Sequence, residues 1–239
     1  MNIDELVVIG DSHTSQYGFD NLKSYKDINN IILLNAPGAS IKGLLKKKST
    51  LGLLERIKNF DFNERQKTLF VIGQCDVEFG YYYKSVLQNE KISLDYFFED
   101  LIKKYEEFLL GYENDFIVSG INPCTVNNIE YNFNVNFKDN ISHVTNNFNE
   151  TGELDESINF IDYQHIYNDS NKIRNRNHKY FNSKLEKMCK INNFKFINIW
   201  DNITENDIIK DKFRKEGENH HLNISLELLE ILYNKIKNI

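Results

Sequence analysis

The stretch VVIGDSHTSQYG, residues 7–18, passes from apolar to polar at Gly10. Leu6–Ile9 is an unbroken apolar segment, the composition of a strand buried on both faces of a parallel sheet. Gly10 ends it, and Asp11, Ser12 and His13 follow without a spacer. Residues just past the carboxyl end of a parallel strand sit on the sheet edge where ligands bind. Ser12 there is a candidate nucleophile, and also a candidate cap for the next helix. Partners elsewhere in the chain have to distinguish the two.

Four further segments have the same character: Ile31–Leu34, Thr68–Ile72, Phe116–Ser119 and Phe194–Ile199, each short and bounded by Gly, Asn or Pro. Between or after them the chain predicts helices near Ser40–Asn59, Leu94–Leu110, Asp155–Lys190 and Ser225–Lys237. In Leu94–Leu110, Phe97, Leu101, Tyr105 and Phe108 recur at helical spacing and form one apolar stripe. Strands separated by helices require crossover connections, so the reading is a three-layer α/β domain built on a parallel sheet. The segment from Ile121 to Thr151 breaks this pattern. Ile129, Tyr131, Phe133, Val135 and Phe137 alternate there with polar residues, so an extended arm or hairpin is expected, serving as a lid or as a contact between copies of the chain. No repeat or shift of composition calls for a second domain, and residues 1–239 are read as one.

With 239 residues, 41% of them hydrophobic and 27% charged, the chain has enough apolar material for a substantial core. The formal charge of −6 comes from 35 acidic and 29 basic residues mixed along the sequence, which argues against a nucleic-acid partner. Lys46–Lys48 is read as a solvated helix end. No apolar segment reaches the ~18 residues of a membrane span, and the first ten residues carry acids where a secretory signal carries bases. A soluble cytoplasmic protein without membrane contact is expected. Cys75, Cys124 and Cys189 are spaced neither as a metal site nor as a disulfide framework, so no metal is expected. No cofactor is expected either: no GxGxxG or Walker-type loop is present to support nucleotide binding.

The edge rule applied to the other strands brings Gly38, then Gly73–Gln74–Cys75–Asp76, then Asn122–Pro123–Cys124 toward one cleft. Near the chain end, EGENHHLN at residues 216–223 sets His220 and His221 before the last helix, with Glu218 three residues ahead of His221. Catalysis by an alcohol needs a base, a group that orients the base, and fixed donors for the developing oxyanion. Ser12 supplies the nucleophile, His221 the base, and Glu218 or a backbone carbonyl the orienting acceptor. The N–H groups of Ser12 and Gly38 are candidate donors. His220 is the rival for the base.

This ordered set resembles the SGNH, or GDSL-type, hydrolase superfamily. GDSH at Gly10–His13 is similar to its first block, with Ser12 in the nucleophile position, and APGAS at Ala36–Ser40 to its second, with Gly38 in the oxyanion position. His221 followed by Leu-Asn matches the catalytic histidine of the last block, and HKYFNSKLEKMCK, with Asn182 and Leu185, is similar to the helix before the fifth strand. The resemblance implies a flavodoxin-like α/β/α fold with a five-stranded parallel sheet and a cofactor-independent esterase. Two positions depart from the pattern. Cys75 stands where the third block usually has an oxyanion-binding Asn, which leaves Gln74 or Asn122 as substitutes, and Glu218 replaces the Asp expected three residues before the histidine.

Other residues have competing readings. Asp11 orients or caps the turn, or takes part in chemistry; Asp76 braces the Ser12 turn or a neighbouring loop. His13 is read as a cleft wall and Cys75 as a packed thiol without a base. Phe79–Tyr83 forms either a carbohydrate-stacking wall or packing against the next helix, and Arg174 and Arg176 are read as solvent-exposed. The expected activity is hydrolysis of a small acyl ester, with an O-acetylated carbohydrate favoured as substrate. Acyl transfer through the same serine and a noncatalytic carbohydrate-binding or assembly role are the alternatives.

Overall fold

The computed structural model describes residues 3–18, 28–46, 51–81, 93–125, 171–215 and 220–239. β1 (Ile3–Gly10) offers apolar side chains to both of its faces and lies inside the sheet. Leu6 and Val8 enter the core on one face, Val7 and Ile9 on the other, and all four are fully buried. β2 (Ile28–Asn35), β3 (Gln66–Val71), β4 (Phe116–Ser119) and β5 (Lys195–Ile197) complete a five-stranded parallel sheet ordered β2-β1-β3-β4-β5.

Helices cover both faces. α1 (Ile41–Leu44), α2 (Leu53–Asn59), α3 (Leu94–Leu110) and α4 (Asn171–Ile191) pack over Val7, Ile9, Phe70 and Val118. α5 (Trp200–Ile203) and α6 (Leu226–Lys237) cover Leu6, Val8, Leu69 and Ile117. The stripe on α3 buries Phe97, Leu101 and Tyr105 as expected and adds Phe98 and Leu109. Each such side chain contributes about 2 kcal/mol by leaving water.

Several elements differ from the sequence expectation. The described residues of Ser40–Asn59 form two short helices; Ser40 Oγ accepts the Gly43 N–H to start the first, and Gly52, left-handed at φ +63°, stands before the second. The last strand stops at Ile197 because Asn198 Oδ1 accepts the Trp200 N–H at 2.9 Å and opens α5. A small antiparallel hairpin of β6 (Thr204–Glu205) and β7 (Ile208–Ile209) was not anticipated. The helix expected over Asp155–Lys190 is described from Asn171 onward. The arm at residues 129–137 and Glu218 lie outside the described residues.

After β4 the chain runs through Ile121, Asn122 and Cys124 buried but irregular, so its backbone groups need partners other than a ladder. α4 provides them. Asn182 accepts the Ile121 N–H and donates to the Ile121 carbonyl, both at 2.8 Å. His178 Nδ1 meets the Asn122 carbonyl at 2.8 Å, and Asn175 Oδ1 accepts the Cys124 N–H at 2.7 Å. Positions 175, 178 and 182 share one helix face, so a polar stripe on α4 fixes the irregular segment to the sheet edge. No described helix is long and apolar enough to cross a membrane.

Candidate active site

Gly10 lets β1 and β3 end side by side. A Cβ on it would stand 1.7 Å from the Val71 carbonyl oxygen. Past that point Asp11 N–H donates to Val71 O at 3.2 Å, and the chain enters a 3-10 turn over Ser12–Tyr17. Asp11 caps the turn: its Oδ1 accepts the His13 N–H at 2.9 Å and stands 2.8 Å from His13 Nδ1, and its carbonyl accepts from Thr14 N at 3.2 Å and Thr14 Oγ1 at 2.9 Å. The Ser12 N–H is outside this set of bonds. Ser12 itself is half-buried at the carboxyl edge of the sheet.

The histidines arrive on a loop closed at its neck. Arg214 and Leu222 form an antiparallel bridge, Asn223 N–H donates to Phe213 O at 2.9 Å, and Asn223 Nδ2 donates to Lys212 O at 3.0 Å. Leu222 is buried in the core. The Leu-Asn pair after His221 thus has a mechanical role, with one residue anchoring in apolar packing and the other tying the two loop stems together. Above the Ser12 turn, His13 Nε2 lies 3.2 Å from the His220 carbonyl oxygen. The ring centroids are 4.8 Å apart for His13 and His221, 4.1 Å for His220 and His221, and 5.4 Å for His13 and His220.

Ser12 and His221 line one cavity of about 430 Å³. His13, Gln16, Asn35 and Lys215 also line it, as does Pro37, the neighbour of Gly38. Gly38 is exposed and has φ +78°, a left-handed turn that exposes the backbone beside the cavity. Gln74 and Asn122 lie elsewhere, in a buried network. Asn122 N–H donates to Gln74 Oε1 at 2.8 Å, Gln74 Nε2 donates to Glu78 Oε2 at 3.0 Å, and Asn122 Nδ2 donates to Gln16 Oε1 at 3.2 Å. Gln16 therefore joins the network to the cavity wall.

Burial sets the charge states. It pushes His221 down to about 3, with the neighbouring His220 and His13 adding to the effect, so the imidazole is neutral. His220 is also lowered, chiefly by burial. For His13 burial acts in the same direction, but the charge and hydrogen bond of Asp11 and the charge of Glu78 outweigh it and raise the ring. Both ring nitrogens of His13 face acceptor oxygens, as an imidazolium requires. Burial raises Asp76 to about 7 against the pull of the Ile41 N–H, which its Oδ2 accepts at 2.7 Å. Asp76 thus braces the neighbouring second-block loop. Cys75 is raised well above its ordinary range by burial and by the charges of Asp11, Asp76 and Glu78, which suppresses a thiolate.

One expectation is overturned. Arg174 is only 2% exposed, and its Nη2 donates to the Glu78 carbonyl at 3.3 Å. Its burial depends on partners from the third-block loop, which the polar composition of α4 does not reveal. Glu78 itself was missed; it is fully buried, and although burial raises it, the charges of His178, His220 and Arg174 hold it below its ordinary range. Of the aromatic stretch, Tyr81 packs on Phe97 of α3 and Phe79 meets His220 edge-on at 5.7 Å, while residues 82–83 lie outside the described residues. Lys215, six residues before His221, had no signal in the sequence.

No family model and no curated protein matches the chain. Solved structures do match in architecture. A structure from Streptococcus pneumonia named for platelet activating factor aligns with a TM-score of 0.55 at 14% identity, over 98% of this chain and 84% of that one. A GDSL-like lipase from Bacteroides thetaiotaomicron aligns at 0.50 and 16%, covering 98% and 86%. The fold is the SGNH-hydrolase fold. A single-substitution variant of an acetyl xylan esterase from Geobacillus stearothermophilus also has it, at a TM-score of 0.51 and 11% identity, over 99% and 94% of the two chains. Within this SGNH-type α/β frame, the Ser12 turn follows the sheet's second-listed strand, β1, and the histidine loop precedes the last helix.

Proposed function

We propose that the protein is a serine-dependent carboxyl-ester hydrolase that removes acetyl or a similarly small acyl group from a carbohydrate. The observation that carries this reading is the cavity shared by Ser12 and His221. Ser12 Oγ attacks the ester carbonyl while His221 takes its proton, and the N–H groups of Ser12 and Gly38 meet the oxyanion. His221 returns the proton to the leaving sugar oxygen. Water, deprotonated by the same imidazole, then attacks the acyl-enzyme and releases the acid and free Ser12. Glu218 is assigned to orienting His221. A neutral imidazole is the form that can accept a proton, and burial favours it. Ser15, Gln16 and Asn35 offer hydroxyl and amide groups to sugar hydroxyls, and Pro37, Leu222 and Ile224 add apolar side chains to the same lining. The substrate is taken to be a small cytoplasmic molecule, with no role for nucleic acid or membrane.

Acetate release from acetylated xylo-oligosaccharides tests this reading. Ser12→Ala should lower kcat/KM by about a thousandfold or more with the fold intact; a folded variant that keeps its rate overturns it. A noncatalytic carbohydrate-binding role draws support from a different observation. The Gln74 and Asn122 amides bond within the buried network and Cys75 has no amide to replace them, so the esterase reading rests on backbone donors for the oxyanion. One missing donor is worth about 3 kcal/mol, roughly a hundredfold in rate. Binding of an acetylated sugar without turnover by the wild-type chain would favour that second role.

A further inference from the structure

Three imidazoles cluster beside the cavity, two of them, His13 and His221, lining it, and the proposed esterase uses only one. Each of His13, His220 and His221 has a ring nitrogen within 4.8 Å of one on each of the other two, the one such cluster of potential metal ligands among the described residues. A divalent zinc-type ion held by three imidazole nitrogens at ~2.0–2.1 Å in tetrahedral geometry spaces those nitrogens by about 3.4 Å and the ring centroids by about 5 Å. The observed centroid separations of 4.1, 4.8 and 5.4 Å bracket that value. Each nitrogen needs to move by only about 1 Å toward a common point.

The surroundings of the cluster suit a cation. Asp11 Oδ1 holds His13 Nδ1 at 2.8 Å, the carboxylate–histidine arrangement that fixes the ring and directs Nε2 to a metal. Glu78, fully buried, places a second carboxylate close enough to act on both His13 and His220. His13 and His221 both line the cavity that Ser12 lines, so a cation held by the three rings would lie next to it. We propose that His13, His220 and His221 form a binding site for a borderline divalent transition cation of the zinc type, and that its occupation silences the esterase by taking the lone pair of His221. Binding exchanges the contact between His13 Nε2 and the His220 carbonyl for a metal–nitrogen bond and releases the Nε2 proton. The binding claim stands on the cluster alone; the silencing claim rests on the Ser12 reading.

The test uses the tag-free full chain, with Co²⁺ as a spectroscopic probe and Zn²⁺ as competitor. One equivalent of Co²⁺ should produce the visible ligand-field band of a four-coordinate site, and Zn²⁺ should abolish it. His220→Gln, which replaces a half-buried ring outside the proposed proton path, should lose about a hundredfold in affinity for either ion while keeping the wild-type circular dichroism spectrum. Zn²⁺ should cut ester hydrolysis by the wild type about tenfold or more, with recovery on chelation, and should leave the His220→Gln rate largely unchanged. Absence of the cobalt band in the wild type, or an equal affinity in His220→Gln, overturns the site. A hydrolysis rate that Zn²⁺ leaves alone or raises overturns the silencing. A cobalt band that depends on His220 in a folded protein without esterase activity supports the site and puts the failure on the Ser12 reading.

Discussion

Gly10 sets the geometry of the Ser12 turn more strictly than any polar residue near it. The atom that a side chain would meet is the Val71 carbonyl oxygen, part of the strand beside it, and strands cannot separate by the needed distance without losing the ladder. Gly10→Ala should therefore destabilise the protein by about 3 kcal/mol or more, the upper end of overpacking penalties, as read from urea unfolding. A loss below about 0.5 kcal/mol would show that β1 and β3 can part freely. At this scale the sequence was informative where chemistry is local. The edge position of Ser12 and the capping role of Asp11 follow from a strand that ends in Gly-Asp-Ser, whereas Leu-Asn marked His221 without revealing how the pair anchors it. The meeting of His13 with His220 was illegible, because a contact across 207 positions leaves no trace in spacing. Arg174 was misread for the same reason: its carbonyl partner at Glu78 is 96 positions away.

Among the elements, α4 does two jobs on two faces. Phe181, Leu185, Met188 and Cys189 pack into the core, while Asn175, His178 and Asn182 hold the irregular segment after β4. Replacing Asn182 by Ala strands both the N–H and the carbonyl of Ile121 in a buried place, at about 1–3 kcal/mol for each group. We expect Asn182→Ala to lower stability by roughly 2–4 kcal/mol in chemical denaturation and to raise hydrogen exchange at Ile121 and Asn122 first. Uniform exchange across the sheet would place the loss elsewhere. The strands were legible because runs of Val, Ile, Leu and Phe admit little else, and α3 and α6 because their apolar periodicity is strong. The tiny hairpin of β6 and β7 carries too few residues to have a pattern. The start of α2 depended on Gly52, a residue that a helix sometimes tolerates.

Across the whole molecule, Asp76 couples two loops that arrive from different strands. It follows β3, accepts the Ile41 N–H at the start of α1, and has its acidity moved by burial from 3.8 to about 7. Between those two values the folded chain holds a proton that the unfolded chain has released, so stability falls as pH rises through this window and levels off above about 7. Ionised Asp76 weakens the fold by on the order of 4 kcal/mol. Asp76→Asn keeps an oxygen for Ile41 and no charge; its stability should match the wild type near pH 4 and exceed it increasingly up to pH 8. Thermal melting across that range measures the difference, and a gap independent of pH would contradict the assignment. A parallel sheet between two helical layers was foreseeable from the alternation of strands and helices, while the strand order came from the structure. The charge pattern of the interior was not, since it depends on which carboxylates the topology buries together.

The loop neck at Arg214 and Leu222 has a consequence in time as well as space. During synthesis the Ser12 turn leaves the ribosome about 200 residues ahead of its counterpart, His13 and His220 being 207 positions apart. Until Leu222 docks in the core, a nascent or truncated chain has a hydroxyl on a finished strand end and no imidazole from the far loop. Closing so long a loop is entropically late, and the sheet can form before it. The two walls of the cavity that Ser12 and His221 line therefore come together late, and a chain cut before the far loop lacks one of them.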